Sequence, residues 1–369
     1  MGEHGREGDG LERWGALWEE RTGLSRRGFA QLCAWLAATM TLTSGGVGRV
    51  AEALAAAPRP PVIWLHFQEC TACSESLLRA HYPTAEQLIL NLISLDYHET
   101  LMAAAGKQAE EARRATMKNA KGKYLLVVEG AIPARPFCRI GGQDAEAILK
   151  ECAADAAAVI AVGSCASFGG LPAAEPNPTQ ARSVAGLIGK KPLVAIPGCP
   201  PQPAVMAAVL AHYLTLGRLP ALDQLHRPKA FYADSIHDRC YRRPFYDRGQ
   251  FAASFDDEGA RKGWCLFKLG CKGPVTHNAC ATLKWNEGVS FPIQSGHGCL
   301  GCSEPHFWDN GSFYAPLSTP IGESGLSTGV AAAAGATLGA ALAGGYRKVI
   351  DQARSEARPV TLDDLEKSS

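Results

Sequence analysis

The segment PVIWLHFQECTAC, residues 61–73, decides how the first half of the chain folds. It joins a short apolar run, which predicts a buried strand of a parallel sheet, to a closely spaced pair of cysteines. Stretches rich in Ala, Glu, Lys and Leu, typical of helices, separate it from three similar runs: residues 124–128 (YLLVV), 157–162 (AAVIAV) and 193–196 (LVAI). Strands that alternate with helices predict an α/β fold with a doubly wound parallel sheet.

Cysteines follow three of these four predicted strands. Cys70 and Cys73 come after the first strand, Cys165 after the third and Cys199 after the fourth. The loops that leave the carboxyl ends of parallel strands gather at one edge of the sheet, so we expect these four thiols to converge. Four thiolates suit a zinc ion or an iron–sulfur cluster, whereas the CxxC pair alone would also fit a thioredoxin-type redox site.

The second half of the chain has a different character. From about Asp223 the strand–helix alternation stops and proline, glycine and aromatic residues become common, which predicts loops and short helices held by metal sites. The first four candidate ligands can form a His-Cys₃ site, and the remaining three cysteines suit a cluster that lacks one iron better than a structural zinc ion. In chain order the candidates are His237, Cys240, Cys265, Cys271, Cys280, Cys299 and Cys302.

Composition narrows the classes of function. The 369-residue chain has a net charge of +1 and no basic block, which argues against nucleic acid as a partner. Its 13 cysteines are an odd number and are spread too widely for a small disulfide scaffold, so metal ligation explains them better. We expect Cys138 and Cys152, which belong to neither ligand group, to be buried free thiols.

Together these motifs resemble the small, electron-transferring subunit of nickel–iron hydrogenases, in particular the membrane-associated, periplasm-facing uptake type (group 1). The resemblance implies a flavodoxin-like sheet domain over residues 58–221 and an irregular, loop- and helix-rich iron–sulfur domain over residues 222–320. The matching motifs, which run from about residue 60 to 310, are ECTACSES, GSCASFGG, NPTQ, PGCPP, HDRC, GWCLFKLGCKGP and GHGCLGCSEPHFWD.

The resemblance also implies three clusters and their ligands. The proximal set would hold a [4Fe-4S] cluster, the medial set a [3Fe-4S] cluster with Pro292 at its fourth corner, and the distal set a second [4Fe-4S] cluster. The proximal set is Cys70, Cys73, Cys165 and Cys199; the medial set is Cys280, Cys299 and Cys302; the distal set is His237, Cys240, Cys265 and Cys271.

Two positions refine the expected proximal cluster. Oxygen-tolerant members of the family carry one extra cysteine inside the opening CxxC motif and another five residues after the GSC cysteine. This chain has Ala72 and Gly170 there. The resemblance therefore implies an ordinary cubane cluster and no oxygen tolerance through that mechanism.

The resemblance implies no catalytic residue in this chain, since the family's nickel–iron site lies in a separate large subunit. The expected function is to relay electrons from H2 oxidation through the three clusters to a membrane acceptor, with a cytochrome b as the expected partner. Glu69, which precedes the first ligand, is a candidate proton relay or a structural hydrogen-bonding group. The alternatives are a relay subunit of a related quinone-reducing complex and a non-redox protein stapled by zinc or disulfides.

Both ends of the chain predict targeting to the cell membrane. Residues 25–30 (SRRGFA), a weakly apolar stretch and AEALAAAP fit a twin-arginine signal over residues 1–57, although an amphipathic helix retained in the mature protein is the alternative. Residues 325–346 carry no charge and are long enough to span a bilayer, and Arg347 and Lys348 would begin a cytoplasmic tail over residues 347–369. We therefore expect export to the periplasmic side with a C-terminal membrane anchor.

Overall fold

A parallel sheet forms the centre of the protein. The computed structural model describes residues 13–20, 25–39, 46–56, 59–80 and 83–317. Its strands are β1 (Pro61–His66), β2 (Ser94–His98), β3 (Leu125–Glu129), β4 (Arg139–Ile140), β5 (Gln143–Asp144), β6 (Ala158–Val162) and β7 (Leu193–Ile196). The main sheet has the order β2-β1-β3-β6-β7 with all pairs parallel, while β4 and β5 form a small antiparallel hairpin. This order confirms the predicted flavodoxin-like doubly wound fold.

The sheet is buried on both faces. Every residue of the central strands β3 and β6 is buried, as expected for strands that helices cover on both sides, and every residue of the edge strand β7 is buried as well. Alternate side chains point to opposite faces, so Trp64 and Val127 pack in one core cluster while Leu65 and Val128 pack in the other. This two-sided burial explains why these strands are continuous apolar runs in the sequence.

Helices flank both faces and continue into the second half. On one face the helix Pro203–Leu216 contributes apolar side chains from nearly all its sides, and on the other face the helix Ala145–Ala154 packs through Ile148 and Leu149. The helices are α1 (Arg26–Thr39), α2 (Gly46–Ala56), α3 (Ala72–Leu78), α4 (Ala85–Gln87), α5 (Lys107–Asn119), α6 (Ala145–Ala154), α7 (Gly163–Phe168), α8 (Pro203–Leu216), α9 (Lys229–Tyr232), α10 (Arg243–Asp247), α11 (Glu258–Arg261) and α12 (Cys280–Leu283).

The carboxyl ends of four strands lie side by side. His66 of β1 pairs with Glu129 of β3, Glu129 pairs with Val162 of β6, and Val162 pairs with Ile196 of β7. The loops that follow these strands therefore leave the sheet at the same level and at the same edge. This edge includes the gap between β1 and β3, where the strand order reverses and where ligands bind in sheets of this kind.

The part of the chain after Asp223 consists of short helices, 3₁₀ turns and loops, as predicted. Its core cluster is small and includes cysteines of the distal set as well as apolar residues such as Ile236, Leu266 and Phe291. Because this core buries little apolar surface, it contributes little free energy to ordering the loops. Metal binding is therefore expected to contribute more to the stability of this part than to that of the sheet.

The sequence analysis missed strand β2. Ser94 and Asp96 interrupt its apolar pattern, and only Tyr97 and His98 in it are buried, because β2 lies at the edge of the sheet. An edge strand needs no continuous apolar run, so its segment did not carry the signal that identified the other four strands.

The predicted signal region is partly described. Helix α1 begins at Arg26, and Phe29 and Cys33 of α1, together with Leu54 of α2, belong to the same core cluster as α8. The predicted anchor (325–346) and tail (347–369) lie outside the described residues. None of the described helices combines the length and the apolar character needed to cross a bilayer.

Candidate functional site

The four cysteines of the proximal set lie together at the carboxyl edge of the sheet. Burial, then Glu129 and then the other three thiols raise the pKa of Cys73 well above its ordinary value. Burial is also the main reason that the pKa of Cys165 rises to about 11. These thiols hold their protons at neutral pH, so a metal group must displace protons to bind here.

Glycines bring the backbone close to the sulfurs of this set. A Cβ atom at Gly163, whose φ is +82°, would lie 2.4 Å from the Sγ of Cys73. A Cβ atom at Gly170 would lie 2.8 Å from the Sγ of Cys165. Position 163 therefore requires glycine, first for its left-handed backbone conformation and second for the space beside the sulfur.

The spacing of the thiols argues against a single metal ion. A zinc ion with sulfur ligands at about 2.3 Å holds those sulfurs only about 3.8 Å apart. Among the described residues, only one group of three potential metal ligands has its ligand atoms within 4.8 Å of one another. This group consists of His66, Glu69 and Glu129 and contains no cysteine. The thiols are also not joined in disulfides. A multi-atom iron–sulfur cluster fits this wider spacing.

The distal set surrounds a buried imidazole. The Nε2 atom of His237 is buried with no hydrogen-bond partner among the described residues, and the ring packs edge-to-face against Tyr246 with centroids 4.6 Å apart. Burial, followed by the nearby Arg243, lowers the pKa of His237, which favours the neutral form that binds metals. Backbone N–H groups of Arg242 and Gly273 each donate to a sulfur of this set, at 3.4 Å.

The medial set lines a cavity of about 390 Å³. Cys280, Cys299 and Cys302 all border it, and Pro292 borders it as well. Its wall is largely apolar and it lies beside Cys199 of the proximal set. Three thiols and a proline that border one cavity match the ligand pattern that the resemblance implies for a cluster with one missing iron.

The three sets form a continuous series. The carbonyl oxygen of Cys302 accepts a hydrogen bond from Ser164 Oγ, and that same Oγ accepts one from the N–H of Gly198 at 3.0 Å. At the other end, the N–H of Cys299 donates to the Sγ of Cys271 at 3.3 Å. The medial set therefore contacts the proximal loops on one side and the distal set on the other.

Comparisons with known proteins decide the family. Residues 232–315 match the C-terminal domain of the NiFe/NiFeSe hydrogenase small subunit, and residues 70–213 match the 20 Kd subunit of NADH ubiquinone oxidoreductase. The uptake hydrogenase small subunit of Azotobacter vinelandii is 52% identical over 89% of this chain and 91% of its own length. That of Afipia carboxidovorans is 53% identical over 80% of this chain and 82% of its own.

The chain belongs to the small subunits of the [NiFe] hydrogenases. Among solved structures, the [NiFeSe] hydrogenase of Dm. baculatum is 35% identical, with a TM-score of 0.67 over 71% of this chain and all of that one. Small subunits of this uptake type are the electron-transfer subunits of oxidoreductases, and their catalytic site lies in the large subunit. The match to the NADH ubiquinone oxidoreductase subunit lies in the first half of the chain, which contains the sheet, and the match to the hydrogenase small subunit lies in the second half.

Several hydrogen-bonding side chains around these small-subunit sites had no signal in the sequence. Ser74 and His98 join the proximal region through a 3.2 Å contact between Oγ and Nε2, and His98 belongs to the missed strand β2. Gln202 Nε2 donates to the carbonyl oxygen of Lys284, which follows helix α12 of the medial set, at 3.3 Å. Their partners are distant in sequence, so no local motif could have identified them.

The cysteines outside the three sets are free, as expected. Cys152 is fully buried, and burial raises the pKa of its thiol to about 11, while Arg113 Nη1 lies 3.1 Å from its sulfur. Cys138 is only half-buried, so the expectation of burial is correct for Cys152 and too strong for Cys138.

Replacing Gly163 by alanine tests the close approach at the proximal set. We expect Gly163→Ala to lose iron from this set, because the new methyl group would overlap the Cys73 sulfur. Iron analysis of the purified subunit pair would measure the loss. The matched control is Gly189→Ala, which has a similar left-handed φ of +63° but open space around its Cβ. Equal iron loss in both variants would assign the effect to backbone strain alone.

Proposed function

We propose that this chain carries electrons between a hydrogenase large subunit, where H2 is oxidised, and an acceptor at the membrane. The observation that carries the proposal is the series of three ligand sets in contact with one another across the described part of the chain. Iron–sulfur clusters supply one-electron chemistry, and the protein controls it through ligand identity, hydrogen bonds to sulfur and burial.

The proximal set is proposed to hold an ordinary [4Fe-4S] cluster. Its four cysteines converge at the sheet edge, and Ala72 and Gly170 provide no further sulfur ligand. Gly170 lies directly against the Cys165 sulfur, which is where an additional cysteine would reach such a cluster. The absence of that side chain supports the cubane form over a sulfur-poor one.

The medial and distal sets are proposed to hold a [3Fe-4S] and a second [4Fe-4S] cluster. Three thiols and Pro292 border the medial cavity, so one corner has no ligand. In the distal set, the Nε2 of His237, which has no hydrogen-bond partner in the described part of the chain, supplies a fourth ligand. A neutral imidazole in place of a thiolate makes this centre less negative, which raises its reduction potential relative to an all-cysteine site.

The large subunit is proposed to dock at the proximal edge. Cys70 and Cys199 are exposed there, so a partner surface would shield them from water. Glu69 also lies at this edge, with an oxygen 3.4 Å from His66 Nδ1 and a second oxygen that is buried and unpartnered among the described residues. That arrangement supports Glu69 as a proton relay between the subunits.

Export and membrane attachment complete the proposal. The twin-arginine pair at Arg26 and Arg27 and the small residues before position 58 support transport of the folded protein with its clusters. The uncharged residues 325–346, followed by Arg347 and Lys348, support a membrane anchor that holds the protein at the periplasmic face of the membrane. A cytochrome b in that membrane is the expected electron acceptor.

Metal analysis combined with electron paramagnetic resonance (EPR) tests the electron-relay function. We expect the anaerobically purified subunit pair to be brown and to contain about 11 irons in this chain. The oxidised protein should show a [3Fe-4S] signal from the medial set. Zinc in place of iron, or cystine bridges between these cysteines, would refute the relay.

Replacing Pro292 by cysteine tests the medial assignment. A thiolate at the fourth corner should allow a fourth iron to bind, so we expect Pro292→Cys to lose the oxidised [3Fe-4S] EPR signal and to gain one iron per chain. Pro292→Ser is the matched control, since it also removes the ring but adds no sulfur. An unchanged [3Fe-4S] signal in the cysteine variant would contradict this placement.

Two truncations test the membrane anchor. Removal of residues 318–369 should release the hydrogenase from sedimented membranes, because it deletes the uncharged run. Removal of residues 347–369 alone should leave the complex bound. If the longer truncation still sediments with membranes, the attachment lies elsewhere.

A further inference from the structure

A fully buried carboxylate lies beneath the proximal set. Glu129 is the last residue of β3 and is completely inaccessible to solvent. Its oxygens accept hydrogen bonds from the backbone N–H of Cys73 at 3.0 Å, the N–H of Ser74 at 3.1 Å, the Oγ of Ser74 at 2.6 Å and the indole N–H of Trp64 at 3.2 Å. Four donors converge on the two oxygens, so they fix the position of this side chain in the interior.

The position of Glu129 follows from the fold. β3 is the neighbour of β1 at the point where the strand order reverses, so the carboxyl end of β3 faces the loop and helix that leave β1. The next residue, Gly130, must be glycine, because a Cβ atom there would lie 2.9 Å from the backbone of Gln68. Glu129 is thus held by the sheet on one side and the start of α3 on the other.

The surrounding polar residues do not form a cation site. His66, Glu69 and Glu129 bring ligand atoms within 4.8 Å of one another, which is a spacing that a divalent ion could use. However, backbone, hydroxyl and indole donors already occupy the oxygens of Glu129. A metal ion would have to displace these donors and leave them unsatisfied in the interior.

We propose that Glu129 is a positioning residue that fixes the Cys73 end of the CxxC loop and lowers the reduction potential of the proximal centre. Two features of its geometry act in the same direction. The Cys73 N–H is directed at the carboxylate, so it is not available to a sulfur, and hydrogen bonds to sulfur raise cluster potentials. The buried negative charge also favours the oxidised, less negative form of an adjacent cluster, and little solvent screens it.

This inference rests on the proposed cluster at the proximal set. Redox titration of the complete subunit pair, followed by EPR, measures the potential of each centre separately. We expect Glu129→Gln, which is nearly isosteric but uncharged, to raise the potential of the proximal centre and to leave the medial and distal centres unchanged. The potentials of the medial and distal centres serve as internal references, because differences between preparations or in electrode calibration would shift all three potentials together.

Glu75→Gln is the matched control. Glu75 lies two residues after Cys73 in α3, but it is exposed and pairs with Arg79 at 2.8 Å, so solvent and the guanidinium screen its charge. We expect its removal to leave the proximal potential unchanged. A shift of the same size in Glu75→Gln and Glu129→Gln would overturn the role of the buried charge.

Ser74→Ala gives a prediction of opposite sign. It removes one donor from Glu129 but keeps the charge, so the carboxylate is less neutralised and the proximal potential should fall. If Glu129→Gln fails to assemble the centre, this variant decides: an unchanged or raised potential contradicts the proposal. If the wild-type protein contains no iron at the proximal set, the proposed function itself is refuted. If all centres assemble and Glu129→Gln leaves the proximal reduction potential unchanged, only this inference is refuted.

Discussion

The alignment of the carboxyl ends of β1, β3, β6 and β7 is the constraint on which the rest of the structure depends. These strand ends pair directly with one another, so the loops that carry the proximal cysteines leave the sheet at one level. Each fully buried Val, Leu or Ile side chain in this core contributes about 1.5–3 kcal/mol to folding. The folding free energy of the sheet can therefore keep the proximal thiols close together, although burial makes their ionisation unfavourable.

In the second half of the chain, the apolar core is too small to position the ligand loops by itself. Its apolar cluster is small, and Cys240 and Cys271 are themselves part of it. The ligand sets and the loops depend on each other here. The backbone N–H groups that donate to the sulfurs, such as that of Gly273, belong to the same turns that metal binding to those sulfurs would stabilise. Metal binding and folding are expected to be closely coupled in this region.

The contacts between the sets give the molecule its linear organisation. Ser164 joins the proximal loops to Cys302, and the N–H of Cys299 donates to the sulfur of Cys271, so each ligand set is hydrogen-bonded to the next. The family matches follow the same division. The first half matches a subunit of NADH ubiquinone oxidoreductase, and the second half matches the hydrogenase small subunit. The features that match the hydrogenase family model therefore lie in the part of the chain that carries the medial and distal sets.

The sequence alone determined the four apolar strands, the doubly wound sheet and the cysteines that follow the strands, because buried parallel strands and strand-end loops leave a local pattern. It also indicated that the second half is built from loops and short helices. It did not reveal β2, whose edge position lets polar residues interrupt the pattern. Only the tertiary structure decided that Glu129 accepts the N–H of Cys73, that Pro292 faces the medial cavity and that His237 Nε2 is buried and unpartnered among the described residues. These features depend on residues distant in the chain coming within a few ångströms of each other, and no local spacing records that.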